Sequence, residues 1–133
     1  MIASDIMTRK VVTIRPEASA QEAAQLLDQF RISGLPVVDT RGDLIGIVTE
    51  ADIISKVNRN GLLDQDGLRV ADIMSREVMT ISEETPVSDI ATLLTERKIK
   101  RVPVLRQGKL VGIVSRGDIV HAVALGHLII RQW

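Results

Sequence analysis

Two acidic side chains stand in matched surroundings in this chain. Asp52 lies in the octet "GIVTEADI", Gly46 to Ile53, and Asp118 lies in "GIVSRGDI", Gly112 to Ile119. Each acid follows a hydroxyl residue by three positions, Thr49 or Ser115, and each octet opens on glycine. Two kinds of chemistry suit that order. One is structural: a capping box, with Asp in the place usually held by Glu or Gln. The hydroxyl then accepts from the third helical N–H and the acid reaches back to the cap. The other is ligand binding. A helix start at the end of a strand presents unpaired N–H groups and the positive end of a dipole, which suit an anion. A hydroxyl there can donate to a phosphate oxygen, and the acid can accept from a vicinal diol, as an acidic residue does for ribose in dinucleotide folds. Gly46 and Gly112 are then expected to let a ligand come close to the strand. The two readings are compatible, because a carboxylate has several lone pairs.

The elements around the octets are also present twice. Asp5-Ile6-Met7 recurs as Asp72-Ile73-Met74, and Val11, Thr13 and Ile14 recur as Val78, Thr80 and Ile81. Leu26-Leu27, Ile32 and Pro36-Val37 recur as Leu93-Leu94, Ile99 and Pro103-Val104. The offset is 67 (Asp5 to Asp72) and falls to 66 (Thr49 to Ser115) at the turn before each octet. In each copy "VVTI" or "VMTI" reads as a short strand. A helix follows, opened by Ser19 or near Pro86. Ala20, Ala23, Ala24 and Leu27, like Val87, Ile90, Ala91 and Leu94, fall at one helical face. "LPVVD" and "VPVLR" then form hairpins with "LIGIV" and "LVGIV" across the turns "TRGD" and "RQGK". A closing helix starts near Thr49 or Ser115. The expected fold is α/β (α+β): two β-α-β-β-α repeats packed with pseudo-twofold symmetry. Repeats are placed at 1–57 and 71–133, the second with a C-terminal helix. A linker, 58–70, carries the polar, glycine-containing run "NRNGLLDQDGL". One unit of this size is marginal alone, so the two are expected to share a core.

Composition narrows the function. The 133 residues are 45% hydrophobic, enough for a core without staples, and contain no cysteine, which excludes disulfides and thiolate-held metals. Lys plus Arg balances Asp plus Glu at 17 each, which argues against a dedicated nucleic-acid binder. Aromatics at 2% do not make a base-stacking platform. No signal peptide is expected from "MIASDIMTRK", and no run approaches a membrane span; the expected location is cytoplasmic. His121 and His127 do not share a helical face, so no metal site is expected. Met7, Met74 and Met79 read as core or interface filler. No set of acid, base and nucleophile converges, so an enzyme is not expected.

Over nearly its whole length the chain resembles a tandem pair of cystathionine-β-synthase-type (CBS) domains, a Bateman module, in its stand-alone form. The residues that carry the resemblance are the two "DIM" entries, the "VTI" and "MTI" strands, "GLPVVD" and "RVPVLR", and the two octets. The resemblance implies adenosyl ligands in clefts between the repeats: AMP, ADP, ATP, S-adenosylmethionine or an NAD-like molecule, none of them an obligatory cofactor. It implies that Asp52 and Asp118 hold ribose hydroxyls and that Thr49 and Ser115 help at ribose or phosphate. Thr13, Ile14, Thr80 and Ile81 line the base, with Leu35, Pro36, Val102 and Pro103 beside it. The phosphate positions are Lys100 and Arg101 in the second copy, matched by uncharged Ser33 and Gly34 in the first. In the family's arrangement those residues serve the other copy's acid. The Asp52 site is therefore expected to prefer a phosphorylated ligand, and the Asp118 site to be weaker, neutral-preferring or empty, unless Arg116 partly compensates. The function so implied is a sensor acting on a partner protein or on its own assembly, as a homodimer. The alternative is a ligand-independent dimerisation scaffold whose octets serve only as caps.

Overall fold

A computed structural model describes residues 1–57 and 67–127. The expected linker lies mostly outside the described residues, as does Trp133. The helices are α1 (Ala3–Ile6), α2 (Ala20–Phe30), α3 (Glu50–Ile54), α4 (Val70–Ile73), α5 (Val87–Glu96) and α6 (Arg116–Ala124). The strands are β1 (Gly34–Val38), β2 (Leu44–Thr49), β3 (Ile81–Ser82), β4 (Arg101–Arg106) and β5 (Lys109–Ser115).

Two compact units form, and they cut across the repeats. One comprises the described residues of Val12–Val78. The other joins Met1–Val11 to the described residues from Met79 on. The stretch holding each "DIM" therefore folds with the octet of the other repeat. These entries are short helices, α1 and α4, an element that the repeat pattern did not predict.

In the Val12–Val78 unit, β1 and β2 form an antiparallel hairpin with Leu35 opposite Val48. Ile14 bridges Val37 in parallel on one side, and Ser75 bridges Ile47 antiparallel on the other. The expected "VVTI" strand is thus a single bridge. Ile14 N–H donates to Pro36 O at 3.0 Å, and Val38 N–H donates to Ile14 O at 3.0 Å. The helix α2 starts where expected: Ser19 Oγ accepts from Glu22 N–H at 3.0 Å. It buries Ala20, Ala23 and Leu27 against Leu35, Val37, Val48 and Val70.

The second unit repeats this plan. β3 pairs in parallel with β4, Ile81 opposite Val104, and β4 pairs antiparallel with β5. Thr8 bridges Ile113 on the far side of β5. Val87, Ile90 and Leu94 are the buried face of α5. Ile90 and Leu94 pack with Ala3, Met7, Val102, Val104 and Val114. Both long helices end on a left-handed residue without being glycine: Arg31 and Lys98, each at φ 53°. The next amide closes a Schellman-type bond, Ile32 N–H to Leu27 O at 3.1 Å and Ile99 N–H to Leu94 O at 3.2 Å. Such an ending turns the chain out of the helix and into β1 or β4.

Candidate functional site

The octets fold as strand, cap and helix in both units. Thr49 Oγ1 accepts from Asp52 N–H at 3.3 Å, and Asp52 Oδ2 accepts from Thr49 N–H at 2.8 Å. Ser115 Oγ accepts from Asp118 N–H at 3.1 Å, and Asp118 Oδ2 accepts from Ser115 N–H at 2.8 Å. Both are complete capping boxes, and both acids are half-buried. The cap holds each carboxylate against the end of its hairpin, with Thr49 opposite Gly34 and Ser115 opposite Arg101.

The second carboxylate oxygen differs between copies. Asp118 Oδ1 accepts from the hydroxyl of Thr8 at 3.2 Å, across 110 residues of sequence. Ser75, the counterpart of Thr8, instead donates its hydroxyl to Glu77 O at 3.4 Å. Asp52 Oδ1 accepts nothing among the described residues, whereas its Oδ2 also takes the Thr49 hydroxyl at 3.0 Å. The sequence pattern did not single out Thr8. Its signal was there: Thr8 and Ser75 are matched hydroxyls directly after the two "DIM" entries.

The octet glycines do something other than admit a ligand. A Cβ built on Gly46 would lie 2.7 Å from Met74 Sδ and 2.8 Å from Ser75 O. One on Gly112 would lie 2.6 Å from Met7 Sδ. The space expected for a ligand is filled by the methionine of the crossing "DIM" segment, so the close approach is between protein and protein. Met7 is buried and Met74 packs against its unit's core, while Met79 is 42% exposed.

The remaining predicted site residues fall into two groups. Thr13, Ile14, Leu35 and Pro36 sit in the unit of Asp52; Thr80, Ile81, Lys100, Arg101, Val102 and Pro103 sit in the unit of Asp118. Leu35, Pro36, Val102 and Pro103 are fully buried, so they pack inside their units behind the surface rather than on it. Thr80 is exposed, and Thr13 and Ile81 are half-buried. Lys100 is exposed, and its carbonyl accepts from Arg116 N–H at 3.0 Å. Arg116 Nε donates to Ile99 O at 3.0 Å. The N-terminus of α6 is therefore tied to the backbone of the stretch that carries Lys100 and Arg101. At the matching place beside α3, Glu50 N–H meets Ser33 O at 2.9 Å and no cation replaces Lys100. A groove of about 340 Å³ runs between α5 and α6. Ala91, Leu94, Thr95, Arg116, Ile119 and Val120 line it, and it does not include Asp118. Among the described residues no cluster of His, Asp and Glu is arranged to hold a metal. No helix there is long and apolar enough to cross a membrane.

Comparison with known proteins gives consistent matches. The family model described as CBS domain matches twice, over residues 3–59 and 70–125. CBS domain-containing protein YhcV of Bacillus subtilis is 35% identical over 116 residues, 86% of this chain and 80% of the relative. Two further curated relatives are longer, so that the chain spans 62% and 59% of their length. Among solved structures, CBSX2 in complex with AMP is 31% identical with a TM-score of 0.84, covering 96% of this chain and 98% of that one. The CBS domain pair of protein MJ0100, in complex with 5-methylthioadenosine and S-adenosyl-L-methionine, is 31% identical with a TM-score of 0.80. That match covers 95% of this chain and 98% of the other.

Proposed function

The chain belongs to the CBS domain family, with two copies of the domain, and we propose that it is a non-enzymatic sensor of adenosyl ligands. Asp52 and Asp118 hold the ribose diol in this reading, with Thr49 and Ser115 beside them. The observation that carries it is the state of the two carboxylates: each is fixed by its capping box and each retains lone pairs for further donors. Relatives of similar fold bind AMP or S-adenosylmethionine, which supports the same ligand class here. The segments that carry Thr13, Ile14, Thr80 and Ile81 line the base in this reading, with the buried Leu35, Pro36, Val102 and Pro103 packed behind them. Lys100 and Arg101 supply charge for a phosphate, which favours AMP, ADP or ATP over a neutral adenosyl ligand at the site they serve. Binding shifts an equilibrium only by the ligand's differential affinity for two arrangements, and the output is a change in assembly or in a partner protein. Self-association has support in the equivalent positions Ile54 and Val120, apolar residues on the two closing helices that are 68% and 65% exposed. The working place of such a module is the cytoplasm.

One observation favours a second reading, a ligand-independent scaffold: both octets already serve as complete helix caps. Thermal unfolding with millimolar AMP, ADP, ATP, NAD or S-adenosylmethionine separates the two, since a ligand that binds only the folded state raises its stability. A rise with at least one, lost in an Asp52→Ala, Asp118→Ala double variant, is expected. No shift with any of the five leaves the scaffold.

A further inference from the structure

We propose that Thr8 is a positioning residue that makes Asp118 the diol-selective acid of the pair, a role Ser75 does not fill for Asp52. The inference rests on the reading that these acids hold a ribose diol.

Thr8 is not on a loose arm. Its N–H donates to Ile113 O at 2.9 Å, and its carbonyl accepts from Ile113 N–H at 3.0 Å. Its neighbour Met7 is seated over Gly112. The side chain is β-branched and stiff at χ1, so the backbone position fixes the hydroxyl. Ser75 has an equally fixed backbone, bonded twice to Ile47 at 2.9 Å. Its unbranched side chain turns to Glu77 O instead. The difference between the copies thus lies in the side chain.

The consequence is a different set of open lone pairs. A carboxylate has about four acceptor directions, two on each oxygen. Asp118 spends one on each: Oδ2 on Ser115 N–H and Oδ1 on the Thr8 hydroxyl. Its plane is held at both oxygens, and each oxygen keeps one direction free. Two adjacent hydroxyls can then be met one per oxygen. Asp52 spends both directions of Oδ2 on Thr49 and leaves Oδ1 untouched. It offers its open directions on a single oxygen whose position only the other oxygen restrains. Asp118 is therefore the acid that distinguishes a diol from a single hydroxyl.

Calorimetry with AMP and 2′-deoxy-AMP tests this, with Asp52→Ala isolating the Asp118 site and Asp118→Ala isolating the Asp52 site. In the Asp52→Ala background AMP is expected to bind about tenfold or more tighter than 2′-deoxy-AMP, the size of a hydrogen bond to a charged group. Thr8→Val should weaken AMP several-fold while barely moving 2′-deoxy-AMP, and Thr8→Ser should restore part of the preference. In the Asp118→Ala background Thr8→Val should change neither ligand, and Ser75→Thr should increase the preference for AMP. Circular dichroism confirms that each variant keeps its fold. A preference at the Asp118 site for AMP over 2′-deoxy-AMP that Thr8→Val leaves intact overturns the inference, as does absence of binding there of both AMP and the uncharged adenosine. AMP binding that survives removal of both acids instead overturns the diol reading beneath it.

Discussion

Met7 lies across Gly112 so closely that a Cβ on the glycine would come within 2.6 Å of its sulfur and 2.9 Å of its Cγ. Met74 stands in the same relation to Gly46. Two of the repeated motifs are thereby explained as one contact made twice. The "DIM" helix brings its methionine to the octet strand, the glycine makes room, and the next residue bridges that strand through Thr8 or Ser75. The same crossing delivers the Thr8 hydroxyl to Asp118. Packing and site geometry therefore depend on the same few residues.

Alanine at either glycine is expected to destabilise, and by different amounts. Neither glycine has left-handed backbone, so the fault is one of space alone. At Gly112 the nearest atoms belong to the flexible Met7 side chain, with Thr8 O further off at 3.1 Å. At Gly46 the carbonyl of Ser75 stands at 2.8 Å, and it is committed to Ile47. Overpacking typically costs about 1–3 kcal/mol, so Gly112→Ala should fall at the lower end and Gly46→Ala at the upper. Urea denaturation of the two variants checks the order. Equal losses would show that the Ser75 carbonyl yields as easily as a methionine.

Much of this was legible in the sequence because repetition supplied a second example of every element. The helical faces Ala20–Leu27 and Val87–Leu94, both hairpins and both capping boxes follow from local spacing, and the structure has them. What the spacing missed is tertiary. Alignment of "DIM" with "DIM" says nothing about which octet each one meets, and each meets the other repeat's. For the same reason a glycine facing a methionine looked like a glycine facing a ligand. The first strand of the first repeat is shorter than its residues suggest: "VVTI" has the composition of a strand, but only Ile14 reaches the pairing partner Val37. The burial of Leu35 and Val102 was similarly out of reach, since a strand covered on both faces reads the same as one beside a pocket.

Glycine at the ends of the two long helices is expected to stabilise the chain. Arg31 and Lys98 hold a left-handed backbone that costs an L-residue roughly 1–2 kcal/mol. Glycine removes that cost but adds back about 0.4–1 kcal/mol through the entropy of the unfolded chain. Both side chains are exposed, so little packing is lost. Arg31→Gly and Lys98→Gly should each gain up to about 1 kcal/mol by this difference, seen as a higher urea midpoint at unchanged slope. A lowered midpoint for Lys98→Gly alone would mean that the lysine makes a stabilising interaction of its own.

The final prediction concerns acid. Arg106 grips Glu83 with two bonds, Nε to Oε1 at 2.6 Å and Nη2 to Oε2 at 2.7 Å. This pair ties the end of β4 to the turn after β3. The Arg106 hydrogen bond is the main reason that the Glu83 carboxyl is held below its ordinary value of 4.5. A carboxyl lowered on folding favours the folded state at all pH above its unfolded value, and that contribution is lost as pH falls through the lowered value. Glu83→Gln keeps the shape and removes the titration. The wild type should therefore be the more stable at pH 7, with the gap to Glu83→Gln closing as the pH drops from about 4.5 to well below it. Because the pair is partly exposed, high salt should also narrow the gap at pH 7. Denaturation midpoints of both proteins across that range measure it, and a gap that stays constant down to pH 2 would show that the Arg106 contact does not depend on the charge of Glu83.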